Sequence, residues 1–301
     1  MSGAAGGDPV LSLERVGFVY PDGTRALSDV GFDVPAGQTL AIVGQNGSGK
    51  STLVRQLNGL LRPTEGRVLV QGRETRGRHV AGLAAIVGLA FQNPDRQIFA
   101  GRVRREVEFG PRNLGLRGPE LDRAATEALE LVGLADQSSS NPYDLGYSRR
   151  KLLALASVLA MGTPIVVLDE PTTGQDARGI DRVQRIVADL AARGRTVLAI
   201  SHDMHFVAES FQRVLVLRSG RLILDGSPAE VFAESNWGGL ASTYLEPPIA
   251  ARVGARLNLG STPTAASLVA ALAGGTPSAG GIRAAGGTPM GGTPSAGASG
   301  Q

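Results

Sequence analysis

The stretch that decides the fold is residues 39–52, TLAIVGQNGSGKST. It begins with Thr39–Val43, a continuous apolar run of the kind that suits a strand buried on both faces. The run leads directly into the pattern G-x-x-x-x-G-K-S, and a helix-compatible segment, Thr52–Leu60, follows. A strand, a glycine-rich loop and a helix in this order form a phosphate-binding loop. We therefore expect the following residues to bind a nucleotide: Gly44, Gln45, Asn46, Gly47, Ser48, Gly49, Lys50, Ser51 and Thr52.

Each part of this loop has a chemical task. Glycines let the backbone wrap so that its N–H groups point at phosphates, and the N-terminus of the next helix adds partial positive charge. Lys50 offers a compact charge to the outer phosphates, and the Ser51 hydroxyl is a ligand for Mg²⁺. Lys50 and Lys151 are the only lysines among 30 basic residues. An ammonium kept among so many arginines fits this role, because a forked guanidinium replaces it poorly.

Two carboxylates follow a later apolar run. Ile165–Leu168 has the composition of a buried strand, and Asp169 and Glu170 come directly after it. Asp169 suits the shell of a Mg²⁺ ion, usually through water. Glu170 is placed to polarise an attacking water as a general base. Exposed acids at a strand end are common, but the phosphate loop upstream favours the catalytic interpretation.

A histidine follows another buried run in the same way. Thr196–Ile200 predicts a strand, and Ser201-His202-Asp203 comes next. Functional groups collect at the carboxyl ends of strands in parallel sheets. We therefore expect His202 to contact a γ-phosphate or the attacking water, whereas a lone histidine is usually structural. His79 and His205 keep that ordinary interpretation.

The arrangement of apolar runs predicts an α/β fold. Helical patterns separate several of the runs, and strands that alternate with helices favour a mostly parallel sheet covered on both sides. Leu11–Val19 and Val30–Val34 alternate like half-buried strands and have no helix between them. We therefore expect a small antiparallel piece near the start of the chain.

Composition excludes several classes of protein. The chain of 301 residues is 42% hydrophobic and has no cysteine, so disulfides and thiolate metal sites are ruled out. No stretch reaches about twenty unbroken apolar residues, and Met1–Pro9 lacks the basic and apolar regions of a signal peptide. The net charge of +3 is spread along the chain. Since nucleic-acid binders concentrate basic residues, we expect no nucleic-acid partner.

The motifs, taken in order, resemble the ATPases of ABC transporters from Leu11 to Phe232. By this resemblance, Tyr20 stacks on adenine, and Gln92 senses the metal and the attacking water. Thr173–Asp176 is the loop that crosses a dimer interface, and His202 is the switch histidine. The resemblance implies ATP and Mg²⁺ as ligands, with Ser51, Gln92 and Asp169 holding the metal, partly through water. It also implies a P-loop NTPase fold with a mostly parallel core sheet, a small antiparallel β subdomain and a helical subdomain.

The chain thus divides into several segments. We expect a flexible N-terminus at residues 1–9 and the ATPase domain at 10–246, with the helical subdomain at about 95–160. A small helical extension at 247–272 comes next. Residues 273–301 consist largely of Gly, Ala, Ser, Thr and Pro, a composition that predicts a disordered tail.

A narrower resemblance is to the energy-coupling-factor group of importers. It is carried by FQNPDRQIF at residues 91–99, VEFGP at 107–111, SHDM at 201–204 and LDGSP at 224–228. In that group the segment after the glutamine meets a transmembrane coupling subunit, which suggests docking through about Asp95–Phe109. The resemblance also implies a second ABC ATPase subunit, a separate substrate-binding membrane subunit, and a peripheral position on the cytoplasmic face of the cell membrane.

One motif departs from the family. The signature loop normally reads LSGGQ, but residues 145–149 read LGYSR here. The serine hydroxyl is missing at Gly146, and a bulky side chain stands at Tyr147 where close approach favours glycine. Ser148 and Arg149 are candidates to compensate, Arg149 as an added cation near phosphate. Since each ATP in such dimers lies between one phosphate loop and the partner's signature, we favour a heterodimer over a homodimer.

The alternatives are a homodimer in which the variant signature suffices, an ATP-binding scaffold with weak hydrolysis, and a non-transport ABC ATPase. The last usually carries a coiled-coil arm or a second ATPase domain, and the sequence shows neither.

Overall fold

The computed structural model describes residues 8–274. Among these residues, none of the helices combines the length and the apolar composition that a membrane-spanning helix requires. The strands are β1 (Leu11–Val19), β2 (Arg25–Val34), β3 (Thr39–Val43), β4 (Glu65–Val70), β5 (Arg73–Glu74), β6 (Val87–Ala90), β7 (Ile165–Asp169), β8 (Thr196–Ile200), β9 (Arg213–Arg218) and β10 (Arg221–Gly226). The helices are α1 (Lys50–Leu57), α2 (Val80–Ala84), α3 (Val103–Asn113), α4 (Gly118–Val132), α5 (Tyr147–Leu159), α6 (Ala177–Ala192), α7 (Met204–Ser210), α8 (Pro228–Val231), α9 (Trp237–Ala241), α10 (Ile249–Arg256) and α11 (Ala265–Leu272).

The central sheet has the strand order β10-β9-β3-β8-β7-β6. Its neighbours from β9 to β6 are parallel, and only β10 is antiparallel, which confirms the predicted mostly parallel sheet. Every residue of β3 is buried. Because successive side chains of a strand point to opposite faces, Ala41 and Val43 join the core on one face. Leu40 and Ile42 join the core on the other.

A second sheet covers one of these faces. It is four-stranded, with the order β2-β1-β4-β5, and its pairs are antiparallel. Leu11, Leu13 and Val34 pack in the same core as Leu40 and Ile42. The antiparallel piece predicted near the start of the chain is therefore present, and α1 lies in the same layer through Leu53 and Leu57.

Helices α3, α4 and α5 pack against one another. Val107, Leu129 and Leu153 are each at most 1% exposed and belong to the core on the other face of the central sheet. Polar contacts on the surface add to this packing, since Arg104 pairs with both Glu108 and Asp122 and so joins α3 to α4. These helices form the helical region between β6 and β7.

Between the central sheet and residue 274, the chain forms helices α8 to α11. Helix α8 begins with a capping box in which Ser227 and Glu230 satisfy each other's backbone N–H groups. Helices α10 and α11 pack against each other and occupy the predicted extension at 247–272. Most of the predicted flexible N-terminus and disordered tail lies outside the described residues.

Candidate functional site

The predicted site residues gather at one edge of the central sheet. The phosphate loop follows β3, Gln92 follows β6, Glu170 follows β7 and His202 follows β8. Because these strands are parallel, their carboxyl ends meet at a common edge. An open cleft lies there, and among the residues that line it are Tyr20, Asn46, Gly47, Gly49, Lys50, Ser51, Thr52, Gln92, Asp169 and Glu170.

The phosphate loop is shaped by its glycines. Gly44 has φ 149°, Gly47 has 79° and Gly49, the N-cap of α1, has 102°. A Cβ atom on Gly44 would lie 2.2 Å from the carbonyl oxygen of Leu217. No side chain fits at that distance, so the close approach of the loop to β9 requires glycine.

Lys50 lies inside the curl of this loop. Its Nζ donates hydrogen bonds to the carbonyl oxygens of Gly44 (2.7 Å) and Gln45 (2.8 Å). Burial lowers the pKa of Lys50, and the negative charges of Glu170 and Asp169 oppose that shift. The ammonium is thus held at the mouth of the loop, facing the two carboxylates across the cleft.

The carboxylates that follow β7 are buried. Asp169 is 4% exposed and Glu170 is 6% exposed. Burial, followed by the charge of Glu170, raises the pKa of Asp169. Among the described residues, Oδ1 of Asp169 has no hydrogen-bond partner. A buried carboxylate oxygen without a partner, in one cleft with the hydroxyl of Ser51 and the amide of Gln92, fits the oxygen ligands that Mg²⁺ prefers.

Glu170 is oriented by its neighbours. Its Oε2 lies 2.7 Å from Nδ1 of His202 and 3.4 Å from Oγ1 of Thr173, which donates to it. The backbone of Glu170 is in the left-handed region with φ 53°, a conformation that few residues other than glycine adopt. The imidazole of His202 is 62% exposed. His202 therefore reaches the site through Glu170 and also presents its ring to a ligand.

Tyr20 stands at the entrance of the cleft. Its ring packs edge-on against Phe18, with a centroid distance of 4.9 Å. Its hydroxyl lies 2.8 Å from Oγ1 of Thr52 in the first turn of α1. The ring is thus fixed beside the phosphate loop, where the resemblance places the adenine.

The segment after Gln92 is tied to the helical region. The Gln97 side chain accepts from the Phe91 N–H (3.0 Å) and donates to the Ala154 carbonyl in α5 (2.7 Å). Further along, Phe99 and Phe109 are 59% and 48% exposed. Their rings meet edge to face at 4.6 Å. The segment predicted to dock a membrane subunit therefore presents an aromatic pair to solvent on a fixed backbone.

The variant signature loop binds its own chain. Ser148 donates from Oγ to Oε1 of Gln175 (2.6 Å), and Nε2 of Gln175 donates back to the Ser148 carbonyl (3.1 Å). The Tyr147 ring lies against Gly174, where an added Cβ would be 2.8 Å from the ring. Both of these partners belong to Thr173–Asp176. No sequence pattern predicts this pairing, because Ser148 and Gln175 are 27 residues apart.

Lys151 is the functional candidate to which sequence reasoning assigned no role. It lies in the first half of α5 and is 7% exposed. Its Nζ donates to the carbonyl oxygens of Glu170 and Thr173, the latter at 2.9 Å. Burial lowers its pKa to about 8, and Glu170 and Asp169 oppose the shift. The signal available in the sequence was its survival as one of two lysines among 30 basic residues.

The fold and the cleft define a nucleotide-binding protein of the P-loop class. Residues 27–173 match the family described as ABC transporter. The energy-coupling factor transporter ATP-binding protein EcfA of Methanothermobacter thermautotrophicus is 40% identical over 228 residues, covering 75% of this chain and 73% of that protein. The protein of the same name from Methanocaldococcus jannaschii is 40% identical over 227 residues, covering 75% of this chain and 81% of that protein.

Solved structures agree with this assignment. The structure of cbiO1 from Clostridium perfringens, part of the ABC transporter complex cbiONQ, has a TM-score of 0.70 and 32% identity, and covers 84% of this chain and 97% of that chain. A dimeric structure of the ATP-binding cassette MJ0796 with ADP and Pi has a TM-score of 0.67 and 25% identity, covering 72% and 98%. The chain belongs to the ABC transporter ATP-binding proteins, and its relatives place it in the energy-coupling-factor group. Both levels of the resemblance are confirmed, and the family is one of ATPases.

Proposed function

We propose that this chain binds and hydrolyses ATP to power an energy-coupling-factor importer, as a peripheral subunit on the cytoplasmic face of the membrane. The observation that carries the proposal is that Lys50, Ser51, Asp169 and Glu170 line one cleft. His202 lies within hydrogen-bond distance of Glu170. A P-loop without the acids and histidine would support nucleotide binding alone. With them, the cleft has a group for each part of hydrolysis.

Different residues of the cleft bind the phosphates, the adenine, the metal ion and the attacking water. Lys50 and the N–H groups of the loop bind the phosphates, and Tyr20 supplies an aromatic face for the adenine. Ser51, Asp169 and Gln92 would hold Mg²⁺, which supplies charge neutralisation at the β- and γ-phosphates. Glu170 accepts a proton from water as the water oxygen attacks the γ-phosphorus and the bond to the β-phosphate oxygen breaks. His202 keeps the Glu170 carboxylate turned toward that water.

Glu170→Gln tests this proposal, because glutamine keeps the shape of the side chain but removes the carboxylate that acts as the base. Glu170→Gln is expected to lower turnover by about a hundredfold or more, because general base catalysis typically contributes 10²–10⁴-fold. ATP affinity should stay within about threefold, since Lys50 and the loop are untouched. Turnover and the binding of a fluorescent ATP analogue would be measured on the same preparation. Glu127→Gln, on the exposed side of α4, is the matched control. Turnover close to that control would remove Glu170 from the base role.

The segment Asp95–Phe109 is the part that we propose for docking on the membrane subunit. Its support is the exposed pair Phe99 and Phe109, and the bond network of Gln97 that fixes the segment to α5. Phe99→Ala should lower recovery of the membrane subunit with the tagged chain and leave ATP binding unchanged. Unchanged recovery in a Phe99→Ala, Phe109→Ala chain would remove this segment from the docking surface.

A heterodimer with a second ABC ATPase accounts for the signature loop. Ser148 bonds Gln175 and Tyr147 lies against Gly174 of the same chain. The cleft, in contrast, has the lysine, glutamate and histidine that hydrolysis needs, at Lys50, Glu170 and His202. One competent site would then combine this chain's cleft with a consensus signature from the partner. Static light scattering of the purified Glu170→Gln chain should show a monomer with ATP. A stable ATP-dependent dimer of the chain alone would support the homodimer instead. A separate membrane subunit would select the cargo.

A further inference from the structure

Lys151 joins the helix that follows the signature loop to the loop that carries the catalytic carboxylate. Its ammonium, within α5, donates to two backbone carbonyls, those of Glu170 and Thr173. These residues are the first and fourth of the loop that follows β7. One buried cation therefore bridges the beginning and the middle of this loop.

The Glu170 backbone needs such support. A non-glycine residue at φ 53° costs about 1 kcal/mol or more and persists only where its surroundings impose it. The N–H of Glu170 donates to the Ile200 carbonyl at 2.9 Å, and its carbonyl accepts from Lys151. The two bonds fix the peptide groups on both sides of the Glu170 Cα. They determine the direction in which the carboxylate leaves the backbone.

The residue before Lys151 contacts the segment proposed for docking. Nε of Arg150 lies 3.0 Å from Oδ1 of Asp95, and the same guanidinium donates to the Leu145 carbonyl at 2.8 Å. Successive residues of α5 thus contact Asp95 on one side and the Glu170 loop on the other. A displacement of α5 would therefore change both the contact with Asp95 and the contact with the Glu170 loop.

We infer that Lys151 is a positioning residue for ATP hydrolysis, which holds the backbone of Glu170 and Thr173 so that the Glu170 carboxylate faces the attacking water. The inference rests on the role proposed above for Glu170. Lys151 itself touches neither the nucleotide nor the water; it acts through the carbonyls that it binds. Its removal should therefore affect the chemical step more than ATP binding.

The experiment compares Lys151→Met, Lys151→Arg and Arg193→Met in the complex purified from native membranes through a tag on this chain. Lys151→Met is expected to lower kcat about tenfold to a hundredfold, because small misplacements of a catalytic group have effects of that size. KM for ATP should stay within about twofold. Lys151→Arg should recover part of the loss, since a guanidinium can donate to two carbonyls. Arg193→Met removes an exposed cation at the C-terminal end of α6 and should behave as wild type.

With the single variants, two results would overturn the inference. One is a Lys151→Met complex with the kcat of the control. The other is a loss of kcat with a parallel loss of ATP affinity and thermal stability that Lys151→Arg does not relieve, which would assign Lys151 to folding alone.

The double variant Glu170→Gln with Lys151→Met separates this inference from the proposed function. If Lys151 acts through Glu170, the double variant turns over no more slowly than Glu170→Gln alone, because residues that act as a unit are not additive. A further tenfold drop would overturn the inference. Full turnover in Glu170→Gln would refute the role of Glu170 as a base. If Glu170→Gln loses turnover but Lys151→Met turns over as wild type, only the role of Lys151 is refuted.

Discussion

The phosphate loop (Gly44–Thr52) and the signature loop (Leu145–Arg149) both lead into the N-terminus of a helix, but they use their polar groups differently. The phosphate loop has three glycines at positive φ, and its curl directs backbone N–H groups into the cleft. The signature loop has Gly146 at φ −60° and ψ 159° as the N-cap of α5. Its Ser148 hydroxyl donates to Gln175 of the same chain.

The phosphate loop is therefore shaped to bind a ligand, whereas the signature loop binds residues of its own chain. In the phosphate loop, the Lys50 ammonium and the Ser48 N–H donate hydrogen bonds to the loop's own carbonyls. The curl of the loop directs further backbone N–H groups into the cleft, where a phosphate can bind them. In the signature loop, the Ser148 hydroxyl bonds Gln175 and the Tyr147 ring lies against Gly174. The two loops should therefore respond in opposite ways to substitution, with nucleotide binding lost in one and local rigidity lost in the other.

The largest effect is expected for Lys50→Met. It removes the ammonium at the mouth of the phosphate loop, and methionine keeps the length of the side chain. Loss of one charged donor to a reacting group typically lowers turnover by about 10²–10³-fold, so hydrolysis should fall by that factor or more, with weaker ATP binding. Turnover and ATP affinity would be measured together. If Lys50→Met kept both within twofold, the phosphate loop would not hold the nucleotide as described.

The next effect contrasts two glycines, one in each loop. Gly44→Ala places a Cβ 2.2 Å from the Leu217 carbonyl at φ 149°, so the loop or β9 must shift. Strain and overpacking of this kind cost about 1–3 kcal/mol each. Gly146→Ala meets nothing within 4 Å and has an ordinary φ of −60°. We expect Gly44→Ala to lower the midpoint of thermal unfolding and weaken ATP binding, and Gly146→Ala to change neither. Equal behaviour of the two variants would contradict the comparison.

The sequence was sufficient for the phosphate loop and the central sheet because their determinants are local. The glycines, Lys50 and the apolar run of β3 are contiguous, and each is readable from spacing alone. The acids after β7 and the histidine after β8 could be placed at one edge because parallel strands share a direction. The separation between Glu170 and His202 followed only from the structure, since they are 32 residues apart in sequence.

The contacts of α5 could not be predicted either, because they join residues that are distant in the sequence. Ser148 and Lys151 bind residues 170–175 across a helix, a turn and a strand, and no periodicity marks such a pair. The departure from LSGGQ was visible in the sequence. The sequence did not show whether Ser148 replaces the missing hydroxyl. A serine with a free hydroxyl and a serine bound to Gln175 are identical in the sequence.

The smallest effect is expected for the bond between the signature loop and the segment Thr173–Asp176. Ser148→Ala removes the donor to Gln175 and leaves the partly buried amide with one bond fewer. A hydrogen bond of this kind contributes about 1 kcal/mol, which is a shift of about 2–4 °C in the unfolding midpoint for a chain of this size. Gln175→Ala should cost a similar amount of stability, and the double variant should cost less than the sum, because each single change already breaks the same pair.

Turnover by the complete complex should change by less than threefold, since a partner's signature, and not Ser148, would meet the nucleotide in this chain's cleft. If Ser148→Ala instead lowered turnover as strongly as Lys50→Met, the Ser148 hydroxyl would be reaching a phosphate in the working complex, and the bond to Gln175 would be a resting arrangement of a functional signature loop.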